Sequence, residues 1–338
     1  MNVYLKKWKT TFGQGHFGLS LVIILFALYP FLMSNYFIDV AFFFGIYALL
    51  GLSLNVVLGE VGLFDLGHAG FYAIGAYTTA ILNTTLGIPV LMLLPLSAFT
   101  AGFFAYLVCS PIIHLKGDYF LLVTIGMGEI VRLALLNNPF GITGGPNGVF
   151  GIDYPSLGFM DIDTSLKFYF FIWIVVGLCI LGLMSLQRSR VGRAWNCIRE
   201  DEIAAEANGI DVRSFKLLAF VIGAALAGVA GNIYACKLMI VSPESFSFME
   251  SCMMFSIVLI GGMGSVPGVL IGAAAISLFP EIFRPMAQYR MLFFGAAMIL
   301  MMIFRPGGIW PRKRGAIQKG QALKGIKKPL LPGELPGA

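Results

Sequence analysis

The sequence predicts an all-α integral membrane protein of roughly eight to ten transmembrane helices, several of them broken by glycine, with one polar helix on the cytoplasmic side. Three observations carry that prediction. Of 338 residues, 58% are hydrophobic and 12% charged, with a mean hydropathy of +0.85, whereas soluble domains carry roughly 25% charged residues. The apolar residues come in long runs, as helices spanning a hydrocarbon core of about 30 Å require, and not in the alternating segments of barrel strands. The Lys and Arg residues gather at the ends and in one loop. The net charge of +6 therefore follows from membrane orientation and not from nucleic-acid binding.

Taken in order, residues 1–16 hold Lys6, Lys7 and Lys9 and form a cytoplasmic amino terminus. Apolar windows follow near 17–33, 36–57, 64–85, 89–113, 118–136, 168–186, 215–241, 249–264, 265–283 and 289–304, which makes 17–304 a polytopic membrane domain. The first window outlasts a signal-peptide core and no A-x-A site follows it, so it is expected as an uncleaved span. The windows at 64–85 and 249–283 are rich enough in glycine to be short, broken or re-entrant. The connection 137–167 holds one Lys, no Arg and Asp153, Asp161 and Asp163, and belongs outside. The loop 187–214 holds Arg188, Arg190, Arg193, Arg199 and Arg213, and belongs inside. The Lys-, Gly- and Pro-rich tail 305–338 is also inside and is expected to lie disordered at the anionic leaflet. Ten spans with both ends inside put every one of these segments on its assigned side, as an odd count would not, while Arg284 and Arg290, outside in this arrangement, count against it. The five cysteines show no CxxC spacing and are expected to be reduced packing residues.

Catalytic chemistry finds little support. There is no phosphate loop, and Thr143 to Gly148 is glycine-rich but lacks its Lys. His16, His68 and His114 form no metal spacing, and no nucleophile elbow is present. No catalytic, cofactor-binding or metal residue is assigned, and the chain is not expected to be an enzyme. Ionisable groups at membrane depth are the remaining candidates, because lipid makes them costly. Glu129 and Arg132 stand three apart on one helical face, as a structural ion pair or beside a conduit. Asp65 and His68 either cap a helix start or line a cavity. Lys237 and Glu250 flank the outer ends of their spans and can snorkel. Gly62–Tyr77 and Ile260–Ala275 share a pattern of glycines around a turn followed by a Gly-Ala pair, the kind of echo left by repeated halves or by close helix packing.

The stretch "EDEIAAEANGID", Glu200 to Asp211, is too polar for lipid. Good helix formers from Ala194 to Asn208 predict one helix of about 15 residues ended by Gly209 in the left-handed conformation. Ala204, Ala205 and Ala207 give it a small face on which another protein can approach closely; the alternative is a helix lying on the headgroups.

Several long stretches in order, among them "GLSLNVVLGEVGLFDLGHAGFYAIGAYTTAIL", "TGGPNGVFGI" and "VLIGGMGSVPGVLIGAA", resemble the inner-membrane permease subunits of ABC importers in the branched-chain amino acid family. Ile203 to Gly209 resembles the E-A-A-x-x-x-G coupling motif of such importers, with Ile203 where the motif has Glu and Glu202 one residue earlier. The resemblance implies coupling to an ATPase through Glu202, Ala204, Ala205, Glu206 and Gly209. It also implies a second permease, two ATPase subunits that use the ATP, an extracytoplasmic binding protein, and a bacterial inner membrane with both termini cytoplasmic. The expected function is inward movement of branched-chain or related amino acids by alternating access. Urea or short amides as solute, and an ion-coupled secondary transporter, remain as alternatives.

Overall fold

The computed structural model describes residues 29–30, 33–115, 117–155 and 162–282, with short pieces between 295 and 311. The amino terminus 1–16, most of the window 17–33, Asp161, Arg284, Arg290, most of the window 289–304 and the tail beyond Pro311 lie outside the described residues. What is described is almost wholly helical. The helices are α1 (Asn35–Leu54), running into a π-helical stretch Asn55–Val61, then α2 (Ala69–Leu86), α3 (Val90–Ile112), α4 (Asp118–Leu136), α5 (Ser165–Arg188), α6 (Arg190–Glu200), α7 (Glu202–Ala207), α8 (Val212–Leu238), α9 (Phe248–Gly261) and α10 (Val266–Ile282). Five of these units are long and apolar enough to cross a membrane: α1 with its π extension, α3, α4, α5 and α8. The shorter apolar helices α9 and α10 occupy the glycine-rich window expected to be broken.

Small residues let the central helices touch backbone to backbone. Helix α8 packs against both α2 and α3, and a Cβ on Gly75 of α2 would run into the backbone of Gly228 on α8, which in turn sits against the Ser97 carbonyl of α3. Without a hydrophobic drive between helices in lipid, such close dispersion contact is what holds them. Asn232 ties the same three helices together, donating to Thr79 Oγ1 at 2.8 Å and to the Val90 carbonyl at 3.3 Å.

The molecule has two distinct ends. At one, α6 and α7 fold under the bundle, and Arg199 donates to the Gly59 carbonyl in the π stretch while Gln187 donates to Glu60 at 2.7 Å. At the other, β1 (Val149–Phe150) pairs antiparallel with β2 (Ile240–Val241), and Asn83 reaches across to Asp153 at 3.2 Å. Two chain breaks lie between helices, one toward each end of the bundle. One, residues 62–68, joins the descending α1 unit to the rising α2. The other, residues 239–247, joins the rising α8 to the descending α9. They are inverted relative to one another, whereas the glycine echo in the sequence pairs the first break with the turn at 262–265, which precedes the rising α10.

Candidate functional site

The first break is organised by three side chains. Asp65 Oδ1 accepts from the Gly67 amide at 2.9 Å and Asp65 Oδ2 meets His68 Nδ1 at 2.9 Å. His68 Nε2 meets the Ser53 hydroxyl of α1 at 2.8 Å. The order Ser, His, Asp has the connectivity of a nucleophilic triad. All three residues are 0% exposed, however, and Gly67 is pressed against the Thr124 carbonyl of α4, so no reactant can approach the hydroxyl. The arrangement pins the break to α1. Nor does Asp65 cap α2: the Ala69 amide is taken by Ser251 Oγ of α9 at 3.0 Å, a partner 182 residues away that sequence spacing could not reveal.

Glu129 and Arg132 form a forked pair on α4, with Nε at 3.0 Å from both carboxylate oxygens and Nη2 at 2.5 Å from one. Both are partly exposed, 38% for Glu129 and 23% for Arg132. Lys237 does not extend freely to water. It pairs with Asp39 at 2.7 Å, donates to Ser165 at 3.0 Å and lies over the Phe42 and Phe168 rings. Glu250 departs from the snorkelling expectation too: it accepts from the Tyr47 hydroxyl and lines a cavity beside the second break.

The polar stretch differs from the single helix expected. It is two helices, α6 and α7, because Asp201 adopts an extended conformation (φ −158°, ψ 111°). Its carboxylate then accepts from the Ile203 and Ala204 amides at 2.9 and 3.0 Å, so an acidic side chain competes with the backbone and restarts the helix as its N-cap. Gly209 closes α7 with φ +80°. The small face is divided: Ala205 is buried against the bundle at 3% exposure, while Ala204, Glu206 and Ala207 are exposed and Ile203 is 74% exposed. Glu202 points back and pairs at 2.7 Å with Lys216 of α8, a lysine only 4% exposed. Asp211 starts α8, and the Ser214 hydroxyl at 2.6 Å holds its carboxyl below the usual carboxylate range.

The sequence matches, over residues 36–302, the family model described as branched-chain amino acid transport system, permease component. It is 41% identical to the high-affinity branched-chain amino acid transport system permease protein LivM of Escherichia coli K12, over 94% of this chain and 80% of that one. Against the probable branched-chain amino acid transport permease protein LivM of Methanocaldococcus jannaschii it is 25% identical, over 80% and 92%. The high-affinity branched-chain amino acid transport system permease protein LivH of Escherichia coli K12 is 28% identical over 79% and 91%. No solved structure matches.

Proposed function

Because this chain belongs to the permease-component family of branched-chain amino acid transport systems, we propose that it is a membrane-spanning permease subunit of an ATP-driven importer that moves branched-chain amino acids inward. The observation that carries the reading is the 41% identity across 94% of the chain to a permease of that transport system. Similarity to two different permeases of one organism supports a homologous second permease as partner, with about ten spans in this chain, two ATPase subunits, a binding protein at the β1–β2 end, and both termini in the cytoplasm of a bacterial inner membrane. ATP is consumed by the partner ATPases and no cofactor is held here.

Coupling runs through α7. Its outward residues Ile203, Ala204, Glu206 and Ala207 meet the ATPase, and its inward contacts carry the motion. Glu202 on Lys216 moves α8, and the preceding Arg199 on the Gly59 carbonyl moves the π stretch of the first span. A π turn is a common site of helix adjustment, and ATP shifts the transporter between its states only if these contacts differ between them. An ion-coupled mechanism through Asp65 is disfavoured by the complete enclosure of that carboxylate.

The test is reconstitution in proteoliposomes with the second permease, the ATPases and the binding protein. ATP-dependent leucine uptake that disappears when this chain is omitted is the expected result. Uptake driven by a proton or sodium gradient without ATP overturns the reading.

A further inference from the structure

Beside the second break, where α1, α2, α8 and the start of α9 converge, lies a cavity of about 280 Å³, close to the lower end of small-molecule sites at roughly 300 Å³. Its walls are of two kinds. Ile46 of α1 and Met249 of α9 supply an apolar side; Tyr47, Tyr72, Tyr234 and Glu250, with the exposed Glu244 at its rim, supply a polar one. The rings are ordered: Tyr72 and Tyr234 meet edge to face at 5.4 Å between centroids, and Phe246 backs them at 4.9 and 6.0 Å. Glu250 is fixed by the Tyr47 hydroxyl. Among the described residues no Lys or Arg forms an ion pair with it; Arg132 and Lys237 are engaged by Glu129 and Asp39. A carboxylate held against apolar helices without a cation is costly, and either a proton or an arriving cation relieves that cost. Flanking tyrosine rings favour the same visitor, since their faces attract positive charge.

We propose that this cavity is a solute station of the translocation path, with Glu250 as counter-charge to the ammonium group of a free amino acid and Ile46 and Met249 against its aliphatic side chain. The assignment rests on the amino-acid reading above and deepens it: urea and neutral amides carry no charge for Glu250 to meet. Tyr72 and Tyr234 complete the ammonium's surroundings, and the ammonium, one end of a zwitterion with no net charge, offsets the Glu250 carboxylate locally while the solute stays in the cavity.

The full complex in proteoliposomes, supplied with saturating binding protein, tests the proposal with Glu250→Gln, which keeps an acceptor for Tyr47 and removes the charge. Leucine uptake is expected to fall at least about tenfold, equivalent to roughly 1.4 kcal/mol, while ATP hydrolysis stimulated by the loaded binding protein persists. Uptake within about twofold of the parent, with ATP hydrolysis intact, overturns it. Where Glu250→Gln lowers assembly, Met249→Cys decides: leucine slows its modification by a thiol reagent, measured above the background of the parent complex, and 4-methylpentanoate, the same carbon skeleton without the ammonium, does not. Equal modification rates with and without leucine refute the site. A parent complex that moves no leucine at all refutes instead the amino-acid reading on which the site rests.

Discussion

The two breaks at 62–68 and 239–247 solve one topological problem, reversing the chain between apolar helices, by opposite means. In the first, Asp65, His68 and Ser53 satisfy one another, Ser251 closes the helix start, and every one of these residues has 1% exposure or less. In the second, α8 ends on Met239, a non-glycine residue held at φ +58°, the chain passes through a single 3₁₀ turn at Pro243–Phe246, and space remains beside a carboxylate without a cation. Buried ionisable residues in membranes are functional candidates by default, yet only their partners and the room around them separate a clamp from a binding site. Fully enclosed and mutually bonded groups, as in the first break, fix structure. A half-buried acid facing a void, as in the second, is available to a solute.

The strongest way to break this contrast is Asp65→Ala. It leaves the Gly67 amide and His68 without their acceptor in an enclosed place, at an expected cost of about 3 kcal/mol, measured as a fall in the thermal midpoint and yield of the purified complex. An unchanged midpoint would mean that the first break is not a clamp. Next comes Ala204→Arg on the outward face of α7. Folded protein is retained, but leucine uptake drops about tenfold while ATP hydrolysis continues, because the change lies on the face proposed to meet the ATPase and touches neither break. Loss of folded protein instead would place Ala204 with its buried neighbour Ala205. The smallest effect belongs to Met239→Gly. Relief of the left-handed strain, about 1–2 kcal/mol, is partly offset by the chain entropy of glycine at roughly 0.5–1 kcal/mol, leaving a gain of about 0–1.5 kcal/mol in thermal stability. A marked destabilisation would show that the methionine side chain, not the backbone, holds the second break.

Much of the framework could be read from hydropathy alone, because lipid forces long apolar segments into helices: the window at 118–136 coincides with α4. Polar residues isolated in apolar runs, such as Asp65 and Glu129, also announced themselves. What the chain order concealed was convergence. Tyr47, Tyr72, Tyr234 and Glu250 lie on four helices and meet only after folding, and Glu250 near a helix start reads as a group that reaches water. Ser251 as the partner of Ala69 was hidden for the same reason. The division of the Ala194–Asn208 stretch was missed differently. Propensity favours one continuous helix there, but the Asp201 carboxylate bonds the next amides more favourably than the helix continues.

The π stretch Asn55–Val61 has a further consequence. Winding of this kind accommodates one residue more than an α-helix does over the same rise, so the first span contains slack worth about 100° of rotation, one residue's share of a 3.6-residue turn. A wide turn can migrate along an axis by exchanging hydrogen bonds singly. The lower part of the span, with Glu60 and the Gly59 carbonyl that Arg199 holds, therefore has a route to swivel without melting.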